Sequence, residues 1–293
     1  MKKLFTKALV LLLLVISAFF GLEKNISIED YQEQAYQGEG IITFSTEKIE
    51  YSRKTESTSS IYFDFPMYEC LTLPNNCAPV GGSIALGYYD EYYPNLIPNY
   101  EAVYYYKGEK YYKIISPEVD TLIAELYERM GTNQGVSGTT YEGFKTGLQS
   151  YINTQGYTVS YSSLMSSGKL NLNNVYSSLN AGKPVVLFMT SIRYVYRLHF
   201  YEYSGYDYIG VQTANAGHVS VAYGKREIKY YRNETKKVWS PIWYNPFRFI
   251  NVTEEVNFRT NRYLMVSFGN STLGYMDITD TGGVQQAINL NIF

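Results

Sequence analysis

Apolar and polar positions change their rhythm several times along this chain. An uncharged run from Ala8 to Phe20 opens it, and a polar, charged stretch without an apolar period follows from Leu22 to about Ser60. Ile61, Phe63 and Phe65 then alternate with polar neighbours, which predicts a short strand closed by Pro66. From Ala78 to Tyr89 there is neither a charge nor a polar stripe, so this segment is expected to be a helix buried on every side, with Pro79 in its first turn. Two amphipathic helices come next. One runs from Pro117 to Met130 with Val119, Leu122, Ile123 and Leu126 on one face, and one from Tyr141 to Thr154 with Phe144, Leu148 and Ile152 at helical spacing. A fourth, Leu172 to Leu179, runs into Gly182 and Pro184, which stop it. Aromatic and β-branched runs predict the strands: Val185 to Met189, Tyr194 to Tyr203, His218 to Tyr223, Ile228 to Tyr231, Trp239 to Tyr244, Tyr263 to Phe268 and Tyr275 to Ile278. Helices first and strands last predicts an α+β fold with segregated elements, not an alternating doubly wound sheet.

Composition narrows the class. Over 293 residues, 45% hydrophobic and 18% charged positions describe a globular chain. Lys and Arg number 25 against 27 Asp and Glu, a balance that argues against nucleic acid as a partner. The 33 tyrosines suit half-wet strands or a polymer-binding face, strand packing being the plainer reading. At the start, Lys2, Lys3 and Lys7 precede the 13-residue apolar run and Gly21 follows it, the pattern of a secretory signal peptide over residues 1–21. That run is shorter than the roughly 20 residues a membrane span needs, so no stable membrane insertion is expected once it is cleaved. Its removal takes away three lysines and no acid, moving the net charge from -2 to -5. Residues 22–60 read as a propeptide or flexible spacer and residues 61–293 as the compact domain. The expected location is secreted or extracellular, the cell surface included.

Chemistry is constrained by scarcity. Only two cysteines and two histidines exist. Cys70, Cys77, His199 and His218 have no zinc-site spacing, and no phosphate-binding or nucleotide-binding glycine loop occurs, so neither metal nor cofactor is expected. Cys77 stands at the predicted N-terminus of the apolar helix, where the helix dipole favours a thiolate, and a histidine brought beside it activates the sulfur. His199, within an aromatic strand and without a preceding glycine, reads as a half-exposed strand residue. Plainer readings of the pair are a structural Cys77, a Cys70–Cys77 disulfide that masks the sulfur, and a core His218.

Three short motifs carry a resemblance. Asn75-Asn76-Cys77-Ala78-Pro79 entering an apolar helix, Ala181-Gly182-Lys183-Pro184-Val185-Val186, and Gly217-His218-Val219-Ser220-Val221-Ala222-Tyr223-Gly224 are similar to papain-like cysteine peptidases, in particular to bacterial secreted staphopain-like enzymes and double-glycine leader peptidases. The resemblance implies a papain-like fold over residues 61–293, N-terminal helices packed on a C-terminal antiparallel sheet, with Cys77 as nucleophile and His218 as its base. It also implies a peptide or protein substrate. The family's glutamine ahead of the cysteine is replaced by Leu71, so Asn75 or Asn76 would have to serve the oxyanion with the Cys77 backbone N–H. For the residue that orients His218, the Trp243-Tyr244-Asn245-Pro246 context implies Asn245, and the segment ending at Gly269-Asn270 offers Asn270 instead. Two function classes follow: a secreted cysteine peptidase, from which acyl transfer by the same pair is indistinguishable, and a catalytically inactive binding or adhesion protein. Oligomeric state is not legible in the sequence.

Overall fold

The chain is described here from a computed structural model, which describes residues 41–61, 65–113, 116–196, 200–270, 273–279 and 283–293. The expected signal segment 1–21, His199 and the middle of the Ile61–Phe65 strand lie outside the described residues.

Local sequence accounts for the helices. Helix α1 (Cys77–Tyr89) has every residue from Ala78 to Tyr89 buried, as its lack of a polar stripe demands. Helix α2 (Pro117–Arg129) starts on Ser116, whose hydroxyl accepts from the Val119 N–H, with Glu118 and Asp120 in its first turn and Arg129 in its last, the arrangement the helix dipole favours. Thr140 caps helix α3 (Tyr141–Thr154) by accepting from the Gly143 N–H, and Asn171 caps helix α4 (Leu172–Asn180) through Asn173 and Asn174. Among the described residues no helix is long and apolar enough to cross a membrane.

Strand dominates the rest. Before the helices come β1 (Ile41–Glu50) and β2 (Arg53–Ser60); between α1 and α2 lie β3 (Val103–Tyr106) and β4 (Glu109–Tyr112); between α3 and α4 lie β5 (Val159–Ser163), β6 (Met165–Ser166) and β7 (Lys169–Leu170). After α4 come β8 (Val185–Met189), β9 (Ile192–Tyr196), β10 (Phe200–Tyr203), β11 (Tyr206–Asn215), β12 (His218–Trp239), β13 (Phe249–Ser267), β14 (Leu273–Asp277) and β15 (Val284–Ile292). The main sheet has 11 strands in the order β1-β11-β9-β14-β13-β12-β8-β15-β5, with β10 joined to β11 and β2 to β12, every pairing antiparallel.

The central strands are buried on both faces. Val186 and Phe188 of β8, Val219, Val221 and Tyr223 of β12 and Met265 of β13 join the core under α1, α2 and α3. Their alternates Val185, Leu187, Met189, Ala222, Leu264 and Val266 join a second core with Val175 and Leu179 of α4. A period-2 strand with apolar residues on both faces reads as a continuous apolar run, which is why β8 is legible in the sequence.

The architecture corrects the expected fold class. With 48% strand against 21% helix in four short helices, the described residues form a sheet-dominated fold, not a papain-like α+β arrangement of N-terminal helices packed on a C-terminal sheet. Strands are not segregated at the end of the chain: β1 and β2 precede every described helix, and β5 lies between α3 and α4 yet forms an edge of the main sheet. Residues 41–60, within the stretch read from its polarity as propeptide or spacer, are two strands in register with β11 and β12. They are held by backbone pairing and by the buried Asp207 of β11, which accepts from Lys54 Nζ at 2.8 Å, Tyr230 OH at 2.8 Å and Tyr51 OH at 3.3 Å. Neither hold leaves an apolar rhythm in the sequence.

Candidate functional site

Three pieces of backbone meet at the first turn of α1. The loop 69–76 leads into it, β12 begins beside it at His218, and β13 ends beside it at Ser267, followed by Phe268, Gly269 and Asn270. Two glycines permit the approach. A Cβ on Gly81 would stand 2.9 Å from Val219 Cγ1, so α1 lies directly on the start of β12. Gly269, at φ +77, turns the chain out of β13 where a Cβ would meet Val80 Cγ1 at 2.9 Å.

Cys77 is partly buried and carries a free thiol, as does Cys70, so the disulfide, one alternative reading of the pair, is not formed in this structure. Backbone N–H groups of Val219, Ala78 and Cys77 itself surround the sulfur and favour a thiolate, but burial outweighs them and the thiol is pushed up from its ordinary value. Val219 is the residue after His218, so the start of β12 lies against the first turn of α1.

The His218 imidazole is also partly buried, and the loss of water around it pushes it down to about 4. Its Nε2 lies 3.0 Å from the Phe268 carbonyl oxygen. A carbonyl only accepts, so Nε2 carries the proton and Nδ1 is the basic nitrogen. A backbone carbonyl thus meets this ring nitrogen, a contact expected from the sequence to come from an asparagine side chain. Sequence reasoning missed it because a carbonyl has no residue identity. At neutral pH the resting pair is therefore a neutral thiol and a neutral imidazole, without the ion pair that a helix-terminal cysteine suggests.

The asparagines divide. Asn245 lies in the turn at the far end of the β12–β13 ribbon, where its Oδ1 accepts from the Phe247 N–H at 3.2 Å and its backbone exchanges hydrogen bonds with Ile242. His218 opens β12 and Trp239 ends it, about 70 Å away at 3.3 Å per residue along an extended strand. The structure does not bring Asn245 to His218. Asn270 is near: its backbone bridges to Glu69, and it follows two residues after Phe268.

Both oxyanion candidates have their amide hydrogens engaged elsewhere. Asn76 Nδ2 donates to the carbonyls of Cys70 at 2.6 Å and Leu73 at 2.7 Å, which folds the loop into α1. Asn75, at φ 54, donates to Asn133 Oδ1 at 2.9 Å and Ser137 Oγ at 3.1 Å. An amide offers two hydrogens, so these contacts leave neither side chain a donor to aim at a substrate oxygen. The donors that remain are backbone N–H groups at the start of α1, as at any helix N-terminus. A cavity of about 370 Å³ is lined by Glu69 to Leu73 and by Ser116, Val119, Asp120 and Ala124; Cys70 borders it, Cys77 and His218 do not.

Comparison of the chain with protein-family models, with curated proteins and with solved structures finds no match.

Proposed function

We propose that this protein is an exported cysteine peptidase in which Cys77 is the nucleophile and His218 the general base. The observation that carries the reading is the contact of the Cys77 sulfur with the backbone of Val219, which seats the residue after His218 against the first turn of a buried helix. In the reaction the sulfur forms a bond to the peptide carbonyl carbon as the S–H proton passes to Nδ1 of His218. The resulting oxyanion is met by backbone N–H groups and the positive end of α1. As the intermediate collapses the C–N bond breaks and the proton goes to the leaving amine. Water, deprotonated by the same nitrogen, then cleaves the thioester. Because both groups are neutral at rest, the proton moves as the C–S bond forms and no preformed thiolate is required. Export rests on residues 1–21 alone.

A second reading, a catalytically inactive binding or adhesion protein, is favoured by one observation: burial holds the thiol up and the imidazole down, the reverse of the usual activation. Digestion of an unfolded protein substrate separates the two. The peptidase reading expects cleavage by the wild type and none by Cys77→Ala at unchanged thermal stability; equal proteolysis by both, or none by either, supports the inactive reading.

A further inference from the structure

The ribbon formed by β12 and β13 outruns the rest of the fold. Strand β2 accompanies β12 only as far as Tyr231, and beyond it Arg232–Trp239 pairs with β13 alone. All eight of these residues are exposed. At about 3.3 Å per residue this two-stranded arm extends some 25 Å. Isolated hairpins are marginal in water, yet the turn at its end is tightly made: Ser240 N–H bonds the Arg248 carbonyl, Ile242 and Asn245 exchange backbone bonds, and Trp239 Nε1 donates to the Pro246 carbonyl at 2.7 Å.

What that turn displays is unusual for a surface. Trp239, Trp243, Tyr244, Phe247 and Phe249 are 61%, 94%, 70%, 83% and 60% exposed, and the chain's two tryptophans are both among them. Large aromatic side chains grouped on a surface mark an interaction site. Charge then selects the partner. Lys236 is paired with Glu254 at the base of the tip, and beyond that pair, from Lys237 to Thr253, the chain has Lys237 and Arg248 and no acid, a local +2 on a protein of net charge -2. The tip stands on two strands alone, beyond the end of β2. Amphipathic rings ahead of a basic collar match the headgroup layer of a membrane, where Trp and Tyr settle and Lys and Arg meet anionic lipid.

We propose that the tip of the β12–β13 ribbon docks this protein on an anionic phospholipid surface, peripherally and reversibly. It stands apart from Cys77 and does not depend on the peptidase reading. The test uses the full chain, titrated with phosphatidylcholine vesicles containing about one third phosphatidylglycerol. The two tryptophans report from the tip alone, since the apolar run Ala8–Phe20 contains none. The expected result is a blue shift of tryptophan emission, with quenching by bromine-labelled lipid. Phe247→Ala combined with Lys237→Glu and Arg248→Glu should weaken the vesicle dependence at least tenfold while circular dichroism is unchanged. Emission that stays that of water-exposed tryptophan, an equal response to vesicles of phosphatidylcholine alone, or an unaltered response in the triple variant overturns the proposal. So does tip-dependent binding to a protein receptor without any response to lipid.

Discussion

Replacing Asp90 by Asn should make the protein more stable at neutral pH and leave it unchanged in acid. Asp90 caps the end of α1, is 7% exposed, and accepts from the Ile97 N–H at 2.7 Å. Burial raises its carboxyl from 3.8 to about 6, the single N–H opposing but not cancelling the loss of water. The tyrosines around it, Tyr68, Tyr100 and Tyr151, are themselves pushed upward by burial and stay neutral throughout this range. Below pH 3.8 the group is protonated in both folded and unfolded chains and contributes nothing. Between 3.8 and about 6 the unfolded chain releases its proton first, so stability falls as pH rises. Above 6 the loss is complete, about 3 kcal/mol at 1.36 kcal/mol per pH unit. Asparagine keeps the oxygen that accepts from Ile97 and does not ionise. Urea unfolding followed by circular dichroism between pH 4 and 7.5 measures the difference; tryptophan emission is unsuitable because both tryptophans are exposed. His218, pushed down to about 4, acts in the opposite direction by removing stability as pH falls from 6.5, but it cancels in the comparison of the two proteins. Stability curves that run parallel across this range would refute the reasoning, whatever constant offset the new amide introduces.

Asp207→Ala removes the acceptor shared by Lys54, Tyr51 and Tyr230 and should cost about 3 kcal/mol, near the low end for breaking a buried pair because Lys54 keeps Glu202 at 2.5 Å; urea unfolding checks it, and a change below about 1 kcal/mol would contradict the network. Asn245→Ala should leave kcat and KM unaltered, since the residue sits at the far end of the ribbon, and a tenfold loss of kcat in a steady-state assay would return it to the site. Asn76→Ala frees the Cys70 and Leu73 carbonyls from the side chain that binds both, and should lower the melting temperature by several degrees in a thermal scan together with activity.

How much the sequence revealed follows the kind of interaction that holds each element. Helices α1 to α4 and strand β8 are fixed by their own apolar side chains, and their rhythm could be read within a residue or two. Strands β1 and β2 and the outer half of the β12–β13 ribbon are held by backbone hydrogen bonds and polar contacts such as Lys54 with Asp207, and most of their residues, Arg53, Thr55 and Glu56 among them, are exposed. No period marks them, so the chain read as α+β when strand is in fact its main component. The expected strands His218–Tyr223 and Ile228–Tyr231 are one continuous strand, and Trp239–Tyr244 is the end of that strand and a turn. At the candidate site, Cys77 and His218 were legible because a thiol at a helix start and an imidazole at a strand start are side-chain facts. The Phe268 carbonyl that meets Nε2 of His218 was not, because a carbonyl carries no residue identity. A similar local context drew attention to Asn245, but the ribbon carries that segment away from the site.

Covalent capture is the sharpest test of Cys77 as nucleophile with His218 as its base. The full chain is exposed to a slowly hydrolysed activated acyl ester of a short peptide, quenched in acid, and analysed by intact mass and peptide mapping. The expected result is an acyl adduct on Cys77 in the wild type, none at that position in Cys77→Ala, and formation slowed about 100-fold or more in His218→Ala, the scale of a general base. Acylation of Cys77 at the same rate with and without His218, or no adduct on Cys77 at all, would contradict it.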